Sequence, residues 1–373
     1  MKPIYLDNAA TSPADPRVIE GIRSALVDCY GNPSSRHAIG LRAEKIVRDA
    51  RREVARALDV KARQVTFTSG GTEALALALL GCGRSQRKSG HVLVSSIEHA
   101  AVFSSTKFLE DLGHEVELLP VGSNGFVDPQ AVTQAIRHDT FLVAVMHVNN
   151  ETGIEQPVAE IGKCVKAKNP RCQFLVDAVQ SFATGTPTLA SLHADMVCIS
   201  AHKINGPKGI GAFAHGEGVK LKPLWGGGDQ EDGLRPGTEN VPGIIGLGIA
   251  TQLRHEGISV LREQSDRLRD ALLESAKASY AVGDQQHRAP HIVTVAIPDV
   301  RSEVIVNALS EAGVYVSSGS ACHARRSLRS HVLKAMGIPE SHHALRISVN
   351  RLNRAEEIGE ACETIRKTLR GLV

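Results

Sequence analysis

The chain has 373 residues, of which 42% are hydrophobic and 22% are charged. This length and balance predict a globular protein with a large core and two domains. The net charge of +3 is too small to indicate nucleic acid or a membrane surface as a partner. No apolar run approaches the roughly 20 residues of a membrane span, and the first residues lack the apolar region of a secretory signal. We therefore expect a cytoplasmic protein.

The seven cysteines form no Cys-x-x-Cys pair and show no spacing typical of a zinc site. We therefore expect no metal and a reducing compartment. Six of the cysteines fit as small packed residues of helices, a strand and a turn, at positions 29, 82, 164, 172, 198 and 362. Cys322 differs from these because it lies in a loop of small residues.

The first two thirds of the chain alternate strands with helices. The hydrophobic pattern predicts strands at 64–68, 91–96, 115–121, 140–148, 174–177 and 196–200, and helices at 15–28, 40–58, 71–80, 100–112, 128–138 and 158–168. Such alternation is typical of an α/β fold in which a mostly parallel mixed sheet is covered by helices.

The last third of the chain has a different pattern. A polar, glycine-rich loop at 225–240 precedes a largely helical stretch at 241–274; further helices are predicted at 302–312 and 354–369, and strands at 292–297, 314–317 and 345–349. We interpret this part as a smaller α+β domain. The predicted division is a large domain at 15–255 and a small domain made of 1–14 and 256–373.

Functional loops of parallel sheets gather beyond the carboxyl ends of the strands. Five polar or small residues fall at or near such predicted ends, namely Gly71, His99, Asn150, Asp177 and Lys203. The turn at 69–73 joins a strand to a helix N-terminus, where free N–H groups favour a phosphate, although the same residues are common as a plain helix cap.

Lys203 follows a short apolar strand, whereas most lysines in turns are simply exposed. Burial lowers the pKa of an amine and makes it a usable nucleophile. Asp177 ends the predicted strand before it. A strand-end carboxylate and a strand-end lysine suit pyridoxal phosphate (PLP), because the carboxylate pairs with the pyridinium nitrogen and the lysine forms a Schiff base.

Cys322 lies in the small-residue segment 316–327 after a predicted strand. His323, Arg325 and Arg326 are close to it in sequence and would favour its thiolate. The alternative is that these arginines form only a solvated basic patch. A thiolate in this loop could attack an electrophilic atom of a substrate bound to PLP.

Taken together, the motifs resemble those of the cysteine desulfurases, which are PLP enzymes of fold type I in the class-V aminotransferase group. The resemblance covers nearly the whole chain through an ordered set of segments at 5–11, 31–35, 67–73, 98–99, 148–151, 176–180, 200–203, 235–240, 317–322 and 345–348. The chain differs from the family pattern at 323–326, where small hydroxylated residues are usual, and it has one additional residue, Asp229.

The resemblance implies that Lys203 binds PLP and removes the Cα proton, that Cys322 accepts the sulfur, and that His99 stacks on the ring and moves protons. It also implies a set of cofactor contacts: Gly71, Thr72, Asn150, Asp177, Gln180, Ser200, His202 and Thr238. Thr238 would reach the phosphate of a neighbouring subunit, so a homodimer with shared active sites is expected. Arg346 and Asn150 would bind the substrate carboxylate.

The implied reaction converts L-cysteine to L-alanine and leaves a persulfide on Cys322 for transfer to an acceptor protein. Iron–sulfur assembly, tRNA thiolation, cofactor synthesis and DNA sulfur modification all remain open as the destination. The first alternative is a selenocysteine lyase, whose acceptor cysteine is also followed by histidine, as in 321–323. The second is a catalytically silent interaction module, against which the retained Lys203, Asp177, His99 and Cys322 argue.

Overall fold

The structure is a computed structural model that describes residues 3–319 and 329–372. Its strands are β1 (Ile4–Tyr5), β2 (Val65–Thr68), β3 (His91–Ser95), β4 (Glu115–Leu119), β5 (Thr140–Met146), β6 (Gln173–Asp177), β7 (Met196–Ser200), β8 (Gly211–His215), β9 (Tyr280–Ala281), β10 (Ile292–Pro298), β11 (Val314–Tyr315) and β12 (His342–Ser348). Its helices are α1 (Pro16–Asp28), α2 (Ala38–Leu58), α3 (Gly71–Ser85), α4 (Ala100–Asp111), α5 (Pro129–Ala135), α6 (Val158–Lys168), α7 (Leu189–Leu192), α8 (Val241–Leu253), α9 (Leu261–Ser275), α10 (Ser302–Glu311), α11 (His331–Ala335) and α12 (Ala355–Arg370).

A seven-stranded sheet forms the centre of the fold, in the order β2-β8-β7-β6-β5-β3-β4. Strands β3 to β7 run parallel, and β8 runs antiparallel between β2 and β7. The α/β fold with a mostly parallel mixed sheet is thereby confirmed. Because β3, β6 and β7 are parallel, their carboxyl ends meet at one edge of the sheet.

Both faces of the sheet are buried except at the edge strand β4, which explains the continuous apolar runs of the inner strands. In β6, Phe174 and Val176 pack into the cluster that also holds side chains of α2, α6 and α8. Leu175 of the same strand points to the opposite face and packs with α3 and α4. The alternation follows from the two-residue period of a strand.

A smaller three-stranded sheet lies in the last third of the chain, in the order β12-β10-β9. Apolar side chains of α9, α10 and α12 pack with it in one cluster that also includes Ile4 and Leu6. Strand β1 pairs in parallel with β11, so the start of the chain joins this region. The division into domains at 15–255 and at 1–14 with 256–373 stays a prediction. Among the described residues, no helix has the length and apolar character needed to cross a bilayer.

Several predicted elements differ from the structure. Strand β8 was not predicted, because its Gly-Ala-Phe-Ala-His sequence follows a turn and carries few β-branched residues. The predicted helix at 241–274 is two helices, separated where Gly257 adopts a left-handed conformation with φ of +67°. Smaller differences concern helix ends and strand ends: α3 continues to Ser85, α5 stops at Ala135, and β11 ends at Tyr315.

Candidate active site

The polar strand ends surround one cavity of about 330 Å³. It opens at the carboxyl ends of β3, β6 and β7 and at the N-terminus of α3. Ten of the site residues predicted from the sequence line it: Gly71, Thr72, His99, Asn150, Asp177, Gln180, Ser200, His202, Lys203 and Arg346. The sequence therefore placed most of its candidates in one place, although the role of each remains a prediction.

Lys203 ends a single 3-10 turn that directly follows β7. The turn is closed by the Ile204 amide, which donates to the carbonyl of Ala201 at 3.0 Å, and the Gly206 amide donates to the same oxygen at 2.9 Å. This geometry turns the lysine side chain back over the sheet edge, where its Nζ donates to the carbonyls of Ala9 at 2.5 Å and Ala10 at 2.8 Å. Lys203 is therefore half-buried in the cavity and not an exposed turn lysine.

Asp177 is the last residue of β6 and pairs in register with Cys198 of β7. Its Oδ1 accepts a hydrogen bond from the Val179 amide at 2.9 Å. Burial raises the pKa of Asp177 to about 6, opposed by the Val179 N–H and by the positive charge of Lys203. The carboxylate is ionised at neutral pH but poorly solvated, so a cationic ring nitrogen would stabilise it.

A second part of the cavity fits a phosphate. Gly71 begins α3, and a Cβ atom at this position would lie 2.9 Å from Cγ2 of Val179. The backbone amides of a helix N-terminus can therefore approach an anion closely here. Ser200 Oγ is buried beside this turn and has no hydrogen-bond partner among the described residues. A phosphate oxygen would satisfy it.

Both histidines predicted from the sequence border the cavity. His99 caps the N-terminus of α4, where its Nδ1 accepts a hydrogen bond from the Ala101 amide at 3.1 Å. The proton of a neutral His99 ring is therefore on Nε2. His202 lies 3.1 Å, from Nδ1 to Oγ1, from Thr11, and burial, with smaller effects of two lysines, lowers the pKa of His202 to about 4. The His202 ring is neutral at physiological pH.

Gln180 and Arg346 connect the cavity to the start of the chain. Gln180 Nε2 donates to the carbonyl of Ala9 at 2.9 Å, the same oxygen that accepts from Lys203. Arg346 on β12 is buried, and its guanidinium donates to the carbonyl of Asn150 at 2.7 Å and to Oδ1 of Asp7 at 2.6 Å. Its Nε has no partner among the described residues, so a donor remains for a further anion.

Two predicted residues are not among the described residues that line this cavity. Thr238 is exposed and lines a separate depression of about 170 Å³ near Thr68 and Arg235. Cys322, with the neighbouring residues 323–326, lies outside the described residues. Gly319 and Ser330, which are described on either side of it, are both near Glu151: Gly319 lines the cavity with Glu151, and Ser330 Oγ donates to the Glu151 carboxylate at 2.6 Å.

Three residues at this site were not predicted from the sequence. Asp7 pairs with Arg346, and His331 of α11 lines the cavity with its Nε2 at 2.9 Å from the carbonyl oxygen of Glu98. Glu98 is buried, accepts from the Ser95 hydroxyl at 2.5 Å and from the Met146 amide at 2.6 Å, and burial raises its pKa to about 8. Its position before His99 was the only sequence signal for Glu98, and His331 had none.

The chain is similar to known proteins over almost its whole length. The family model described as aminotransferase class-V matches residues 4–360. The cysteine desulfurase IscS 1 of Archaeoglobus fulgidus is 39% identical over 367 residues, which are 97% of this chain and 95% of that protein.

Among solved structures, a NifS-like protein is 34% identical, covers 100% of both chains and superposes with a TM-score of 0.92. A structure of SspA in complex with cysteine is 31% identical, covers 94% of this chain and 100% of that one, and has a TM-score of 0.84. The chain therefore belongs to the class-V aminotransferase family, within which it groups with the cysteine desulfurases.

Proposed function

We propose that the protein is a PLP-dependent cysteine desulfurase, which converts L-cysteine to L-alanine and leaves the sulfur as a persulfide on Cys322. PLP is the cofactor of the family to which the chain belongs. The observation that carries the proposal is the position of Lys203, Asp177 and the Gly71 turn around one cavity. Full-length relatives named as cysteine desulfurases and a related structure with cysteine support the choice of substrate.

When bound, PLP withdraws electrons from the amino acid joined to it and so weakens the bonds at Cα. The amides at Gly71, with Thr72, Ser200 and His202, would hold its phosphate. Asp177 would face the ring nitrogen, Gln180 would hydrogen-bond the ring hydroxyl, and Asn150 would contact the cofactor and the substrate carboxylate. His99 would stack on the ring, with its Nε2 proton available for transfer.

Lys203 has two duties in this proposal. It attaches the cofactor covalently, and after the substrate amine has displaced it, its free amine takes the proton from Cα. The carbonyls of Ala9 and Ala10, which accept from its Nζ, keep the amine at the wall of the cavity. The substrate carboxylate would meet Arg346, whose buried guanidinium retains an unpartnered Nε among the described residues.

The sulfur transfer needs no external oxidant. The Cys322 thiolate attacks the substrate sulfur, an S–S bond forms, and the C–S bond of the substrate breaks. The electrons of the broken bond stay with carbon, which is then protonated, so L-alanine leaves and Cys322 carries the persulfide. The thiolate form of Cys322 is essential because a thiol is a poor nucleophile.

The assembly and its partners belong to the same proposal. Thr238 is exposed and does not line the active-site cavity of its own chain, as expected of a residue that reaches the phosphate in a second subunit. We therefore infer a homodimer with shared sites. The persulfide would pass to an acceptor protein, such as an iron–sulfur scaffold. Cys29, Cys82, Cys164, Cys172, Cys198 and Cys362 are all unpaired, which favours a reducing location such as the cytoplasm.

The deciding experiment is mass spectrometry of the Cys322 peptide after the holoenzyme has reacted with L-cysteine. We expect the added mass of one sulfur atom on Cys322, together with L-alanine. Cys322→Ser should lose the modification, Lys203→Ala should lose alanine formation, and Cys29→Ser serves as the matched control. Alanine formation by Lys203→Ala at the wild-type rate would contradict the proposal. Rates with selenocysteine, measured in parallel, separate this enzyme from a selenocysteine lyase.

A further inference from the structure

A second, inner cavity lies on the other side of Lys203 from the active site. It has a volume of about 20 Å³, enough for one water molecule or one small ion. Lys203 borders both cavities. The remaining walls include Asn205 after β7, Arg254 after α8, His291 before β10, and Arg351 after β12. Four segments distant in sequence therefore converge on a space that the proposed reaction does not use.

Arg254 is the unusual member of this lining. Arg254 is only 8% exposed, and its guanidinium carbon lies 4.8 Å from the centroid of the Phe182 ring. Nη1 donates to the carbonyl of Thr251 at 2.7 Å, whereas Nε is buried without a partner in the described part of the chain. No described carboxylate lies within ion-pair distance of Arg254. A buried guanidinium without a counter-charge costs several kcal/mol.

Two further side chains bring unused hydrogen-bonding groups to the same cavity. His291 is 4% exposed, and neither of its ring nitrogens has a partner among the described residues. Burial lowers the pKa of His291 to about 3, so the ring is neutral and has one N–H to donate. Arg351 binds Asp15 through Nη2 at 2.5 Å, and its Nε is also buried without a described partner.

The lining of the inner cavity contains three cationic side chains, Lys203, Arg254 and Arg351, and no carboxylate among the described residues. Of the two arginines, Arg351 has carboxylate partners in Asp15 at 2.5 Å and Glu256 at 3.6 Å, whereas Arg254 has none among the described residues. A water molecule could accept hydrogen bonds from these donors, but it would leave the charge of Arg254 uncompensated. The volume is too small for phosphate or a carboxylic acid, and it suits a single halide.

We propose that this inner cavity is a binding site for one small inorganic anion of the size of chloride. The anion would accept from the Nε–H groups of Arg254 and Arg351 and from the N–H of His291. It would be the counter-ion of Arg254. Because Lys203 forms the wall between the two cavities, the anion would also offset positive charge directly behind the reactive lysine.

Crystals of the holoenzyme soaked in sodium bromide provide the first test. We expect an anomalous bromide peak in the inner cavity, in contact with Arg254, His291 and Arg351. A cavity that holds only water, with bromide confined to the surface, would overturn the proposal. This test uses the wild-type protein and does not depend on whether any variant folds.

Thermal unfolding provides the second test, with bromide compared against gluconate at equal ionic strength. Gluconate is too large for the cavity, so bromide should raise Tm by about 1–3 °C more than gluconate does. The difference should disappear in Arg254→Met and remain in the control Arg301→Met, because Arg301 is 65% exposed and does not line the cavity. Equal responses in the two variants would contradict the site.

Discussion

Replacement of Asp177 by asparagine should change activity and apoenzyme stability in opposite directions. The substitution keeps the shape of the side chain, and an amide oxygen can still accept from the Val179 N–H. It removes the charge that would pair with the ring nitrogen of PLP. Loss of a buried charge-assisted hydrogen bond costs about 3 kcal/mol, which corresponds to about a hundredfold decrease in kcat.

The effect on stability follows from the raised pKa of Asp177. Burial lifts this pKa from 3.8 to about 6, so the ionised carboxylate opposes folding at neutral pH by about 3 kcal/mol. Because the folded pKa is above the unfolded one, wild-type apoenzyme should become more stable on this account as pH falls from about 7 to about 4. Asp177→Asn should already have that gain at neutral pH.

Two measurements check this reasoning. L-alanine formation at saturating PLP and L-cysteine gives the change in kcat, and urea unfolding of the apoenzyme gives the change in free energy of unfolding. A variant that is inactive and also less stable than wild type would refute the argument, since the loss would then be structural. Wild-type kcat in the variant would refute the role of the Asp177 charge.

Three further predictions concern other parts of the molecule. The pKa of buried His291 is lowered from 6.5 to about 3, so below about pH 6.5 the unfolded chain binds a proton that the folded chain does not. Between about pH 7.5 and about pH 5.5, the free energy of unfolding should therefore fall by about 1.4 kcal/mol more in wild type than in His291→Gln, as measured by urea titrations. Equal decreases in the two proteins would count against the lowered pKa of His291. Arg346→Gln should raise KM for L-cysteine about tenfold or more through loss of a charged carboxylate contact, and an unchanged KM in steady-state assays would exclude that contact. Phe174→Ala, at a fully buried position, should lower the free energy of unfolding by about 3–5 kcal/mol, whereas Phe108→Ala, at a position 58% exposed, should lower it by about 0.5 kcal/mol or less. Similar decreases for the two variants in urea unfolding would show that the packing of Phe174 in β6 does not stabilise the fold.

The sequence brought its candidate residues to one cavity where they follow strand ends, and their roles stay predictions. His99, Asp177 and Lys203 each follow an apolar run, and a parallel sheet brings the carboxyl ends of its strands together regardless of their distance in sequence. The prediction needed only the order of strands and helices, which hydrophobic periodicity reveals.

Other features could not be read in this way. Strand β8 is short, rich in small residues and antiparallel, so no alternation distinguishes it from the end of a turn. His331 reaches the cavity beside Glu98, and Asp7 reaches Arg346, through tertiary packing that no local pattern records. The raised pKa of Glu98 depends on complete burial, a property of the folded chain and not of its neighbours in sequence.

The position of β8 in the sheet has a consequence for the order in which the protein is built. Strand β2, which leads directly into the Gly71 turn, pairs in the described sheet with β8 and with no other strand, and Val65 is opposite Ala214. On a ribosome that adds about 5–20 residues per second, β2 would wait roughly 7–30 s for its partner. During this interval its edge is open to wrong pairing. The turn expected to hold the cofactor phosphate is therefore among the last parts of the sheet to become secured in the nascent chain.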